Sequence, residues 1–465
     1  MRVRSPSLAL AFLLIAVASA RAGTDGPLDG TFGSSGWDIW NPSFTTSVSV
    51  RDLAVRPDGK LAITGRVFAV ASREELSCVR NANGSGGTCV NRMYDLGGDN
   101  NNDGAGVAVQ SDNRTIIVGD ADGPAADPDS VLTLVRMTSA NGIDVTFDGN
   151  TGPFHLNAAT NLTGQAVTTF HDEIYFAGSI EVPTSDKSGS DFYVGVRKAD
   201  GTPKTTFSGD GVQTVAFDLG ANGSDYAEGI AVDHLGRVVV AGTASDGTDT
   251  RFAVARLTTT GALDSTFSGD GKKTVVVDLG GGADVDFGGV TVDRFGRVIL
   301  AGVARAASGN RAVVVRLTSS GALDATFGGG DGIVDYAYGA TNDIAAVVDV
   351  LTLPPPEDRI VIAGDYDPSG SDVSDGFVMV LTPAGDLDSA DFNHTGKRSF
   401  APTGDPWNHA QGLAVQAGKL VVLGGYHVTT TSANAAWLAR VEMFPIFGDD
   451  FEAGHLALWS NAVGD

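Results

Sequence analysis

The sequence predicts an all-β chain closed into a single β-propeller of seven four-stranded blades, each about 60 residues long. Three observations predict it. One stretch repeats almost verbatim at an offset of 60: residues 230–271 read IAVDHLGRVVVAGTASDGTDTRFAVARLTTTGALDSTFSGDG, and residues 290–332 read VTVDRFGRVILAGVARAASGNRAVVVRLTSSGALDATFGGGDG. A β run ending in glycine recurs seven times, at Gly65, Gly119, Gly178, Gly242, Gly302, Gly364 and Gly424. The 62 glycines are about twice the usual share of roughly 7%, and no amphipathic helical stretch follows the N-terminal segment.

Each unit reads as four short strands. In residues 203–260 these are Val212–Phe217, Glu228–Val232, Arg237–Ala241 and Phe252–Leu257. The second and third are joined by the tight turn Asp233–Gly236, with Pro57-Asp58-Gly59 and Asp293–Gly296 as its equivalents. Several strands are apolar on both faces, as expected of sheets stacked face to face. A β-helix coil would be much shorter than this period and an immunoglobulin-like sandwich much longer.

A Thr-Phe pair marks the unit junctions, with Phe147, Phe207, Phe267 and Phe327 spaced 60 apart. Leu28–Gly33 is a further copy, and Leu387–Phe392 is a degenerate one. The missing seventh falls at Cys78–Leu96, where Cys78 and Cys89 are expected to pair and staple a shortened link. The chain opens with this junction element and closes on the strand Ala436–Val441, which has none after it. In a closed ring the N-terminal element completes the last junction and leaves no open sheet edge.

The run strand-Ala-Gly, then Ala-Arg-Leu-Thr, then Gly-x-Leu-Asp-x-Thr-Phe-Gly-x-x-Gly resembles the delta-60 tandem repeats of secreted bacterial proteins. The resemblance covers roughly residues 28–443 and is most specific in units four to six. It implies a β-propeller fold and supplies no mechanism.

Residues 1–22 read as a secretory signal: Arg2 and Arg4, the apolar run Leu8–Val17, then A-x-A spacing at Ala18–Ala20 and Ala20–Ala22. The run is too short to span a bilayer, and no later segment suits a membrane span. The propeller is therefore expected over residues 23–443, with a short tail at 444–465 of unassigned role. The chain is expected to be exported as a monomer, to the periplasm, the cell surface or beyond. Its net charge of −25 becomes −28 without Arg2, Arg4 and Arg21, which makes nucleic acid a poor partner.

Candidate chemistry is sparse. Arg80, Arg136, Arg197, Arg256, Arg316 and Arg440 end the fourth strand of successive units, with Leu381 in the sixth. Asp144, Asp264 and Asp324 follow eight residues later, which suggests a structural Arg–carboxylate bond in each unit. Asp99, Asn101 and Asp103 match the first half of a calcium loop, but Gln110 stands where a bidentate Glu belongs; calcium is carried as a weak option against a solvated turn. Asp95, Asp218 and Asp278 share one place after the first strand of their units. They form an acidic channel rim if that strand lines the central channel, and otherwise cap the following turn. No Gly-x-Ser-x-Gly, zinc-histidine pair or phosphate loop occurs.

Connections between the third and fourth strands vary most, as at Arg66–Ser77, Ser179–Ser190 and Asp365–Asp375. Variable loops on a fixed scaffold are a usual place for binding, but many propellers bind on the opposite face, so the variation reads equally as binding or as mere tolerance. The expected function is non-enzymatic binding of an extracellular protein or glycan. The alternative is a hydrolase or lyase with its site in the central channel.

Overall fold

The short runs of alternating and fully apolar residues all become strands, and four consecutive strands pair antiparallel into each of seven sheets. The computed structural model describes residues 28–40, 47–68, 72–92, 102–122, 130–149, 154–156, 161–183, 188–220, 223–338, 344–353, 358–367, 374–392, 394–401, 408–428 and 433–442. The signal segment 1–22 and the tail 444–465 lie outside them. Among the described residues no helix is long and apolar enough to cross a membrane.

The inner strands of blades one to seven are Val48–Val55, Asn102–Val109, Leu162–Phe170, Asp225–Val232, Gly280–Val292, Ile344–Thr352 and Asn408–Gln416. Each packs against the next, and the seventh returns to the first, so the ring is closed. Between neighbouring sheets lies an apolar layer. Val239, Ala241, Phe252 and Val254 of blade four, for example, meet Val298, Leu300, Val313 and Val315 of blade five. The junction phenylalanines Phe32, Phe147, Phe207, Phe267, Phe327 and Phe392 are all buried.

Blades and repeats are one strand out of phase. The first strand of each repeat does not line the channel; it is the outer strand of the preceding blade. Val212–Val215 pairs with the third strand of blade three, and Lys272–Val275 with that of blade four. The same offset seals the ring. Trp37–Trp40, near the start of the chain, is the outer strand of blade seven and pairs with Ala433–Val441 at its end. Leu28 bridges Val441, and the Asp29 amide donates to the Arg440 carbonyl at 2.8 Å.

The repeated arginines hold the junctions. Arg256 Nε donates to Asp264 Oδ2 at 2.8 Å, its Nη1 reaches the Ser319 carbonyl of the next blade, and its guanidinium lies 4.7 Å over the Phe267 ring. Arg136 and Arg316 repeat this with Asp144 and Asp324. At the seam the same parts come from opposite ends of the chain: Arg440 Nε meets Asp29 Oδ2 at 2.7 Å and stacks 4.7 Å over Phe32. Where Leu381 replaces the arginine, Arg359, just before the second strand Ile360–Tyr366, takes Asp388 instead. In blade one, whose repeat lacks the Thr-Phe element, Arg80 turns to Asp38 and Trp40. There the disulfide Cys78–Cys89 joins directly opposed residues of the third and outer strands.

The seven marker glycines have one cause. Every inner strand carries a β-bulge, with Arg51, Ala105, Gln165, Glu228, Gly288, Val348 and Gln411 as the extra residues. The carbonyl two residues before each bulge is pushed against the second strand at the marker glycine. A β-carbon there would stand 1.7 to 2.2 Å from that oxygen, from Thr163 O at Gly178 to His409 O at Gly424. Glycine is required for space, not for an unusual backbone angle.

Candidate functional site

The bulges decide which side chains reach the mouth of the channel. In each inner strand the bulge residue and the residue two before it are exposed or half-buried. These pairs are Ser49 and Arg51, Asp103 and Ala105, Thr163 and Gln165, Tyr226 and Glu228, Asp286 and Gly288, Ala346 and Val348, and His409 and Gln411. Charge is therefore uneven around the ring. Glu228 and Asp286 stand on blades four and five, His409 on blade seven and Arg51 on blade one, where the charges of Asp103 and Asp120 of blade two act on it. By ring order, blade four lies opposite the seam between blades seven and one.

The larger cleft, of about 660 Å³, opens on this face across blades three to five. Its floor is Ala227 and Val285, and its walls carry Thr163, Gln165, Tyr226, Glu228, Asp284, Asp286, Phe287, Arg305 and Asn310. The 13-residue inner strand Gly280–Val292 shapes one wall: its register slips between Gly280 and Val285. Asp284 meets Arg305 at 3.6 Å and accepts the Thr250 amide at 3.2 Å. Tyr226 is 48% exposed. Thr243 Oγ1 donates to Glu228 Oε1 at 3.1 Å. Burial among the cleft walls pushes the Glu228 carboxyl up to about 7; the charge of Asp286 adds to the rise and the Thr243 hydrogen bond opposes it.

The throat below holds two more carboxyls, Asp52 and Asp349, immediately after the bulges of blades one and six. Asp52 accepts the Leu53 amide and, across the blade interface, the Val107 amide, both at 2.7 Å. Asp349 accepts Val350 at 2.7 Å and, across its own interface, Leu413 at 2.9 Å. Burial raises Asp52 to about 6 and Asp349 to about 7, the latter helped by the charge of Asp52.

A second pocket of about 340 Å³ lies between blades seven and one, lined by Val48, Ser49, Val50, His409, Gln411, Gly425, Tyr426 and Asn434. His409 Nδ1 is 3.0 Å from both Asp365 Oδ2 and Ser374 Oγ. The other oxygen of Asp365 accepts the Ala410 amide at 2.7 Å, which fixes the carboxylate. The hydrogen bond to Asp365 raises the imidazole pKa, against the opposing effect of burial.

The residues singled out in the sequence fall elsewhere. Asp218 and Asp278 follow the outer strands of blades three and four, at the start of the crossing to the next blade, not on the rim. Asp278 Oδ1 accepts the Gly280 amide at 2.8 Å, and Asp218 adopts φ 50°. Asp103 lies on the inner strand of blade two, ion-paired with Arg66 at 3.0 Å and Arg73 at 3.5 Å. Asp95, Asp99 and Asn101 lie outside the described residues. Among the described residues no group of three or more His, Cys, Asp or Glu side chains is arranged to hold a metal ion. The rim residues Tyr226, Glu228, Asp286 and His409 were not picked out from the sequence. The signal was available: every marker glycine faces the strand before it, so each rim pair lies a turn and a few residues upstream of a marker.

Comparison with known proteins agrees on architecture. Residues 236–267 and 296–327 match the family described as "Domain of unknown function (DUF5122) beta-propeller". No curated protein matches the chain. Among solved structures, polysaccharide lyase Uly1 is similar, with a TM-score of 0.54 at 12% identity over 92% of this chain and 95% of that one. Sqt1 from Chaetomium thermophilum scores 0.44 at 11% identity over 92% of this chain and 100% of that one. The β-propeller domain of the Trilobed protease from Pyrococcus furiosus scores 0.42 at 9% identity, over 87% and 99% of the two chains. At these identities the likeness is one of fold: a β-propeller of unknown function.

Proposed function

We propose that this chain is an exported propeller that binds a glycan in the cleft across blades three to five. Export is supported by the charged-then-apolar N-terminus and by the Cys78–Cys89 disulfide, which suits an oxidising compartment. The observation that carries the ligand class is Tyr226, an aromatic ring left 48% exposed in a cleft whose walls also carry the planar polar side chains Gln165, Asp286, Arg305 and Asn310. A pyranose offers an apolar C–H face to such a ring and hydroxyls to Gln165, Asp286, Arg305 and Asn310, which between them donate and accept. The volume suits a few sugar units. Calorimetry against a panel of neutral and acidic oligosaccharides tests this. Saturable binding weakened at least ten-fold by Tyr226→Ala supports it, and a panel that shows no saturable binding refutes it.

One observation favours catalysis in the same cleft. Glu228, raised to about 7, is partly protonated near neutral pH beside Asp286. A protonated and an ionised carboxyl facing one cleft are the groups a glycosidase uses. Release of new reducing ends from a bound oligosaccharide with no unsaturated non-reducing end formed, abolished by Glu228→Gln with binding retained, would establish hydrolysis rather than elimination.

A further inference from the structure

The cleft across blades three to five is unbalanced in charge. Three carboxyl side chains line it, Glu228, Asp284 and Asp286, against one cation, Arg305. That cation is already engaged, with Arg305 Nη1 3.6 Å from Asp284 Oδ2. The other two carboxyls have no counter-ion. Among the described residues Glu228 accepts a hydrogen bond from Thr243 Oγ1 alone, at 3.1 Å. Asp286 is exposed and, among the described residues, makes no hydrogen bond or ion pair.

Strand geometry sets both in place. Glu228 is the extra residue of the blade-four bulge, and Asp286 lies two residues before Gly288, the extra residue of blade five. Gly288 has no side chain, so Asp286 is what blade five presents at its rim pair. The two carboxyls are near enough for the charge of Asp286 to oppose ionisation of Glu228. Tyr226, two residues before Glu228, holds its exposed ring in the same cleft, and Thr163, Gln165 and Asn310 add polar wall without adding charge. Two like charges beside an open aromatic face suit a ligand that is cationic at one end and apolar along one side.

We propose that the cleft selects amino sugars, the ammonium of a 2-amino-2-deoxy sugar lying between Glu228 and Asp286 while its pyranose ring rests on Tyr226. This rests on the glycan reading of the cleft and names the class of sugar. An ammonium brings three donors and a full positive charge to two carboxyls that lack a counter-ion, and it removes the repulsion between them. N-acetylation turns that ammonium into an uncharged amide, which keeps the ring contact and loses the charge pairing. A uronate or sulfate meets two like charges and is disfavoured.

The test is calorimetry on the full chain without its signal segment, in salt that screens surface charges more than about 8 Å apart. The probes are two matched pairs: the glucosamine hexamer with its N-acetylated form, and the galactosamine hexamer with its N-acetylated form. In at least one pair the free amine should bind about ten-fold tighter or better. Glu228→Gln and Asp286→Asn, both nearly isosteric, should each bring that ratio to within about three-fold. Asp270→Asn removes an exposed carboxylate of the blade-four junction, outside the cleft, and should leave the ratio as it was. Tyr226→Ala should weaken both members alike. Equal affinity within each pair, a ratio that survives both carboxyl variants, or one that Asp270→Asn reduces as far, overturns the amino-sugar selection; the glycan cleft still stands if Tyr226→Ala weakens binding of the acetylated members. Binding of no hexamer also overturns the selection, and the glycan reading falls with it if the neutral and acidic panel is silent too. Unchanged thermal midpoints in Glu228→Gln and Asp286→Asn confirm that folded proteins are compared.

Discussion

Substituting Asp29 by Ala should unlatch the ring. Its carboxylate accepts Arg440 Nε at 2.7 Å, Lys419 Nζ at 3.0 Å, the Thr31 amide at 2.9 Å and Thr31 Oγ1 at 2.6 Å, and Asp29 is only 2% exposed. These bonds hold its carboxyl well below the usual carboxylate range despite opposing burial. Alanine leaves the Arg440 guanidinium without its carboxylate and takes from Lys419 one of two, since Lys419 Nζ keeps Glu442 at 2.9 Å; the loss is about 3–5 kcal/mol. Asp264→Ala removes the equivalent carboxylate inside blade four and should cost a similar amount. The two differ in what they release. Asp264 and Arg256 are 8 residues apart, whereas Asp29 and Arg440 are separated by 411, so only Asp29→Ala frees the chain terminus. Trp37, on the released strand, lies 5.8 Å from Trp437 and 6.0 Å from Phe400, so its fluorescence reports opening. In Asp29→Ala, a fluorescence transition and loss of amide protection at residues 37–40 should precede global unfolding in urea. In Asp264→Ala they should coincide with it. A single coincident transition in both variants, or a loss below about 1 kcal/mol in Asp29→Ala, would refute the latch.

Further outcomes follow from the same geometry. Gly178→Ala places a β-carbon 1.7 Å from the Thr163 carbonyl, backbone that cannot yield; it should cost at least ~3 kcal/mol by chemical denaturation, far more than Gly30→Ala, where nothing lies within 4 Å. Reducing Cys78–Cys89, which closes a loop of separation 11, should lower stability by at most ~3 kcal/mol, read as a drop in thermal midpoint with reductant. Asp52 and Asp349 have folded pKa values above the unfolded carboxyl value, so their contribution is complete below about pH 4 and is lost as pH rises through about 6 and about 7. Unfolding free energy should therefore fall between pH 5 and pH 8. Asp349→Asn should reduce that fall by about 1–2 kcal/mol, a figure discounted because both residues are only half-buried. Asp29, Asp144, Asp264 and Asp324 are shifted the other way, and their loss belongs below about pH 4.

Much of the fold was legible because its constraints are local and repeated. The period, the Arg–Asp spacing and the open junction at Ala436–Val441 each leave a residue-type signature, and the ring and its seam follow from them. The phase was not legible. Val212–Phe217 and Glu228–Val232 are both short β runs, and nothing in their composition says which is inner. The structure separates them by pairing: the four-residue outer strand bonds on one side only, while the eight-residue inner strand Asp225–Val232 packs against its neighbours in the ring. Assigning the channel to the wrong strand moved the expected rim from Glu228 to Asp218. The bulges were hidden for a related reason. The extra residue has no required type, being Arg51, Gln165, Glu228 or Val348, and its steric cost is recorded on the partner strand as a glycine. His409 and Asp365, separated by 44 residues on different blades, meet only through ring geometry that no local pattern encodes.

The interleaved ends also set an order of events in the life of the chain. Residues 37–40 wait for a partner strand that is made only when residues 433–441 leave the ribosome, nearly 400 residues later. Until then blade seven lacks its third strand, its outer strand has nothing to pair with, and the ring cannot close between blades six and one. A molecule that has not yet made this strand is thus an open arc. Completion of the strand Ala433–Val441 closes the ring, so a chain truncated before that strand would be left as an arc with two adhesive ends.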